Sequence, residues 1–114
     1  MWLRPKAHSF VRVNDVQGSP DKIENGIRFA RETVVPLIKP LKGYQAAIMG
    51  VNRHSGRTFL TSEWETAEDR AASDLVLFGT RSQARQSLGA THANHADYEA
   101  LFVELDMPVA APPT

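Results

Sequence analysis

Cysteine is absent from the 114 residues. Disulfide staples, thiolate nucleophiles and Cys-ligated zinc or iron–sulfur centres are thereby excluded. An excess of charge of either sign is absent too: thirteen Lys and Arg balance thirteen Asp and Glu. Nucleic-acid surfaces and polybasic membrane patches need surplus cations, so neither partner is expected. The small basic clusters, Arg53/His54/Arg57 and Arg81/Arg85, lie beside acidic segments and read as solvated surface. No apolar run approaches a membrane span, and MWLRPKAHSF lacks an apolar core of signal-peptide length. A cytoplasmic protein is expected. The apolar fraction of 42% and charged fraction of 23% are those of an ordinary globular chain. The length fits one domain, 1–114, with a core over about 8–106 and an extended, Pro-rich arm over 107–114.

What is present is alternation. Tyr44/Ala46/Ile48 alternate with Gln45/Ala47/Met49/Val51, and Thr58/Leu60/Ser62/Trp64 with Phe59/Thr61/Glu63, the period of two that a half-buried strand needs. Between them Asn52-Arg53-His54-Ser55-Gly56 is polar and ends in Gly, which predicts a hairpin. Thr66 then offers a hydroxyl N-cap with Asp69 three residues on, opening a helix to about Phe78 with Gly79 as its C-cap. A short further helix follows through Leu88. Upstream, His8–Gln17 alternates Val11 and Val13 against Phe10, Arg12 and Asn14 and predicts the first strand. Ser19 and Pro20 form a helix start. Ile23, Ile27, Ala30, Val34, Leu37, Ile38 and Leu41 recur at spacings of three and four, as on an amphipathic helix. Pro36 lies inside that pattern and predicts a kink or a tightened last turn. Residues 90–96 (ATHANHA) read as a loop carrying His92 and His95, and Asp97–Asp106 as the last strand.

The order β-α-β-β-α-β is the split βαβ pattern. The expected fold is α+β: a ferredoxin-like βαββαβ unit with a four-stranded antiparallel sheet, except that strands one and three are placed as parallel neighbours at its centre. Strands four and two flank them, and both helices cover one face. Several strands are apolar on both sides, so the second face needs a cover; a homodimer supplies it. With a parallel centre, Asn14, Trp64, Tyr44 and Tyr98 share one rim, and the loop with His92 and His95 reaches it. Such a rim suits a flat, partly polar ligand. Each residue also has a plainer role: Trp64 as core, Asn14 bonded to a neighbouring loop, the tyrosines as packing residues with wet hydroxyls. His92 and His95 lack a third ligand nearby in sequence, and no metal site is expected.

The turn Lys42-Gly43-Tyr44, the strand ending Ser62-Glu63-Trp64-Glu65-Thr66 and the helix opening Glu68-Asp69 resemble the dimeric α/β-barrel superfamily, in particular its antibiotic-biosynthesis-monooxygenase-like branch, over residues 8–106. The haem degraders of that superfamily use an Asn late in strand one, a Trp late in strand three and a His on the second helix. Asn14 and Trp64 match, but no His lies between Thr66 and Thr91, which disfavours haem. The cofactor-independent monooxygenases line their pocket with Asn, Trp, Tyr and Arg. That resemblance implies Asn14 as hydrogen-bond donor to a ring oxygen, Trp64 with Tyr44, Tyr98 and Arg12 holding the ring, and His92 or His95 as proton acceptor, with no cofactor. The implied ligand is a small aromatic or polyketide-like molecule. The alternative is a non-catalytic homodimer that binds a small ligand or serves assembly.

Overall fold

The alternating segments do form one sheet. A computed structural model describes residues 9–90 and 92–101 of the protein. Its strands β1 (Ser9–Gln17), β2 (Tyr44–Val51), β3 (Arg57–Trp64) and β4 (His92–Ala100) lie in the order β2-β3-β1-β4. The order is the expected one, but the direction at the centre is not: β1 pairs antiparallel with both β3 and β4. The reason is topological. The helical crossover returns β2 in the direction of β1, and the hairpin turns β3 back into the slot between them. Phe10 therefore stands opposite Trp64 and Asn14 opposite Leu60. Trp64 lies at one end of the sheet and Asn14 four residues along β1 from it, near mid-strand, so they do not share a rim.

The hairpin between β2 and β3 follows its sequence. The Asn52 side-chain oxygen accepts the N–H groups of His54 and Ser55 at 3.0 and 2.9 Å. Gly56 supplies a φ of 84° that a side chain would resist. At the other end of β2 the register slips between Tyr44 and Ala46. This bulge brings Tyr44 beside Trp64, with ring centroids 5.8 Å apart and planes at 79°, a break in the simple alternation expected there.

The first helical segment begins with a 3-10 turn at Pro20–Lys22 and continues as α1 (Ile23–Phe29). Ser19 holds the N-cap position, yet its hydroxyl bonds the Asp21 carboxylate rather than a backbone N–H. Instead of tightening before Pro36, the chain widens: Ala30–Val34 is π-helical, Val35 N–H reaches back to the Ala30 carbonyl, and α2 (Val35–Ile38) carries the proline in its first turn. Proline lacks the N–H for an i−4 bond and crowds that carbonyl; a wider turn moves the carbonyl aside. Ile23, Ala30, Val34 and Ile38 are buried along this segment.

Helix α3 (Ala67–Leu77) starts as expected, with Thr66 Oγ1 accepting Asp69 N–H at 3.0 Å. Gly79 is not its C-cap; it lies in a 3-10 turn, Phe78–Thr80, that leads into α4 (Arg81–Leu88). The left-handed cap is Gly89, at φ 60°, with Ala90 N–H bonded to the Arg85 carbonyl at 2.9 Å. Helices α1 and α4 meet closely because Gly26 has no side chain: a Cβ there would lie 2.1 Å from a Leu88 methyl.

All these helices cover one face of the sheet. On the other face Ile48 and Phe59 remain 61% and 41% exposed. β4 begins at His92, not Asp97, so His92 and His95 belong to a strand rather than a loop. It is an edge strand held by backbone pairing to β1, with mostly exposed side chains, so its apolar period is weak. Residues 1–8 and 102–114, which include the expected lead-in, the end of the predicted last strand and the arm, lie outside the described residues. Among the described residues no helix is long and apolar enough to cross a membrane.

Candidate functional site

Between sheet and helices lies a cavity of about 150 Å³. Its apolar wall includes Val34, Met49, Leu60 and Leu88. Alternate residues of β1 turn Arg12, Asn14 and Val16 toward it, and β4 adds His95, which stands opposite Asn14 in the register. From α4 come Arg81 and Arg85. An apolar cavity of about this size accepts a benzene ring. The polar groups are therefore arranged around a ring-sized space.

Arg12 is 7% exposed. Its Nε and Nη2 donate to the two carboxylate oxygens of Asp97 at 2.7 and 2.9 Å. The third nitrogen, Nη1, bonds Asp74, whose same oxygen also receives Arg81. Arg70 stands 3.8 Å from Asp97 and donates to the Tyr98 carbonyl at 2.8 Å. A buried guanidinium is tolerable only when its donors are met in this way. Its role here is to tie β1 to β4 and to the α3–α4 corner. The expectation that Arg12 holds a substrate becomes narrower: it lines the cavity, but each of its three nitrogens already donates to a carboxylate.

The bond from the Arg12 guanidinium holds the Asp97 carboxyl below the usual carboxylate range, against an opposing push from burial. A carboxyl with a lowered folded-state pKa stabilises the protein above its unfolded pKa of about 3.9. That contribution is lost as pH falls through the lowered value. The stability gap between the native chain and Asp97→Asn should therefore be widest near neutrality and close on acidification below about pH 4. Urea titrations across pH 2.5–7 measure it; a gap independent of pH would show that the pair contributes nothing.

Asn14 Nδ2 reaches the Leu60 carbonyl only at 3.5 Å, a weak bond by geometry. His95 is exposed at the edge of the same space. The other residues read from sequence go elsewhere. Trp64 is fully buried, its Nε1–H donating to Ser62 Oγ at 2.8 Å, and it does not line the cavity. Tyr44 packs on Trp64. Tyr98 is exposed and stands opposite Val11, one position out of phase with Arg12 and Asn14. His92 stands opposite Gln17 at the start of β4, nearer Asn14 than Trp64 in the register. Of the seven, Arg12, Asn14 and His95 come together. Asp74, Asp97, Arg81 and Arg85 were missed, although an Arg in the middle of a central strand is itself a signal that carboxylates must be near. Among the described residues no group of three His, Asp or Glu side chains is placed to hold a metal.

No established family model matches the chain. An uncharacterised protein of Mycobacterium tuberculosis is 32% identical over 84 residues, covering 74% of this chain and 38% of the relative. A second from the same organism is 27% identical, covering 82% and 44%. The chain thus spans about two fifths of the length of the curated relatives it matches. Among solved structures, the ActVA-Orf6 monooxygenase of Streptomyces coelicolor in complex with nanaomycin D superimposes with a TM-score of 0.62 at 14% identity, over 79% of this chain and 85% of that one. A protein of unknown function from Nitrosomonas europaea gives 0.68 at 14% identity, over 90% and 98%. A candidate antibiotic biosynthesis monooxygenase from Deinococcus radiodurans gives 0.57 at 13%, over 78% and 89%. The β2-β3-β1-β4 sheet under its helices is thus a ferredoxin-like α+β fold shared with these solved structures, monooxygenases of the antibiotic-biosynthesis type among them.

Proposed function

We propose that the protein is a monooxygenase-type enzyme, independent of added cofactor, acting on a compact hydroxylated aromatic or polyketide-like molecule. The observation that carries this reading is the pair Asn14 and His95, side by side on neighbouring strands at the edge of a ring-sized apolar cavity. In this reading His95 takes a proton from the substrate, and the Asn14 amide, weakly engaged at 3.5 Å, donates to the ring oxygen as negative charge develops. The resulting carbanion is electron-rich enough to reduce dioxygen itself. A C–O bond forms, giving a hydroperoxide, and loss of water leaves a carbonyl. One atom of dioxygen ends in the product and the other in water. The shared fold with a monooxygenase that holds nanaomycin D supports an aromatic, quinone-forming substrate class. A homodimer belongs to the same reading, because a second copy would cover Ile48 and Phe59 on the open sheet face.

The test is oxygen uptake with resorcinol, a single-ring phenol of the cavity's size, corrected for its spontaneous oxidation, alongside native mass spectrometry for the subunit count. One dioxygen consumed per quinone formed is expected. His95→Ala should lower kcat roughly 100-fold, and Asn14→Ala roughly 10- to 100-fold, without a change in Tm. Uptake indifferent to both substitutions removes the catalytic assignment. Ligand binding without uptake favours the non-catalytic binding module, and a monomer removes the dimer.

A further inference from the structure

We infer that the cavity selects acidic ligands: a single-ring aromatic carboxylate, its ring against the apolar wall and its carboxylate seated at the mouth by Arg85. The inference rests on the reading of the cavity as a ligand site and names the ligand class. The argument begins with charge. The chain as a whole is neutral, yet the described lining of the cavity contains Arg12, Arg81, Arg85 and His95 and no Asp or Glu. Two of these cations are already answered: Arg12 by Asp97 and Asp74, and Arg81 by Asp74. Arg85 makes no ion pair among the described residues. It is the cation left over.

Position supports the same conclusion. Arg81, Ala84, Arg85 and Leu88 all line the cavity from α4, at the three- and four-residue spacings of one helix face. The face is graded. Leu88 is buried, Ala84 partly so, and Arg85 exposed, so the stripe runs from apolar wall to cationic mouth. Leu88 is fixed against Gly26 and the helix is closed by Gly89, which sets where Arg85 is presented. Across the opening, on β4, stands the exposed His95. A ring-sized wall with one uncommitted guanidinium at its edge matches an apolar ring carrying one monoanionic, planar group. A carboxylate fits the guanidinium fork in two-point fashion. A phosphate dianion would call for a second free cation, and Arg12 and Arg81 are committed.

The experiment compares 4-hydroxybenzoate with 4-hydroxybenzamide, which has the same shape and no charge, by isothermal titration at low salt. The acid should bind at least tenfold more tightly, and added salt should erode the difference. Arg85→Gln should abolish the preference while leaving the amide Kd unchanged. Ala84→Phe, which fills the cavity from the same helix, should weaken both ligands; its Tm reports that the fold is kept. Equal affinity for acid and amide overturns the acid selectivity while the cavity stands as a ligand site. Binding of neither ligand overturns both. Acid binding that survives Ala84→Phe places the carboxylate on an exposed Arg85 outside the cavity, which also overturns the inference.

Discussion

Truncating Trp64 to alanine should cost about 3–5 kcal/mol of folding stability, the range for removing a fully buried indole. No part of this side chain is exposed. Its ring meets Tyr44 edge-on and its Nε1–H satisfies the buried Ser62 hydroxyl at 2.8 Å. Trp64→Phe separates packing from function. It keeps most of the apolar volume but leaves Ser62 Oγ without its donor, a loss of about 1–3 kcal/mol. Ligand affinity should be unchanged in that variant, because Trp64 stands with Phe10 at the far end of β1 from Asn14. Those four residues of strand amount to roughly 13 Å. Urea unfolding with an unaltered m-value measures the stability effect, and titration of the same sample measures affinity. A Trp64→Phe protein of native stability that no longer binds would return Trp64 to the site.

That prediction reverses what the sequence suggests, and the reversal has an identifiable source. Alternation tells which residues share a face of a strand; it carries no information about strand direction. β2 and β3 were legible to within a residue because β2 is half-buried along nearly its whole length and β3 alternates between buried and more exposed side chains. The N-cap at Thr66 and the short helix ending at Leu88 were legible from local chemistry. Placing Asn14 and Trp64 at one rim required in addition that β1 and β3 run parallel, and the split βαβ connection makes them antiparallel. β4 escaped notice for a different reason. Asn94, His95 and Asp97 on this edge strand are exposed, so no apolar period marks its first half. The π-helical turn at Ala30–Val34 is a response of the whole segment to Pro36, and the residues within the turn do not announce it. The Arg12 cluster joins residues 12, 70, 74, 81 and 97, whose proximity exists only once the sheet order and the helix seats are fixed.

Replacing Arg12 by methionine should destabilise the protein by about 2–3 kcal/mol. Removing one member of a buried ion pair ordinarily costs more, because the abandoned charge stays in the dark. Here Asp74 and Asp97 keep 34% and 37% of their side-chain surface in water, and Arg81 and Arg70 remain nearby, so the penalty is reduced. Arg12→Lys should recover little of it. An ammonium is a single point charge and cannot span both oxygens of Asp97 while also reaching Asp74. The double replacement Arg12→Met with Asp97→Asn should be more stable than Arg12→Met alone, since it removes the abandoned carboxylate along with its partner. Without Arg12 the Asp97 carboxyl loses the bond that lowers its pKa, so the acid-side loss of stability should weaken in the single variant as well. Urea unfolding of the four proteins at pH 7 and pH 3.5 completes the cycle. Strict additivity of the two substitutions would show that this network does not hold β1 to β4. The same change bears on the cavity. Asp97 released from Arg12 keeps only Arg70, 3.8 Å away, and adds negative charge two residues along β4 from His95, so it should disfavour an acidic ring even where the fold survives. A loss of 4-hydroxybenzoate affinity in Arg12→Met that is restored by adding Asp97→Asn would assign the effect to that charge rather than to a missing contact with Arg12.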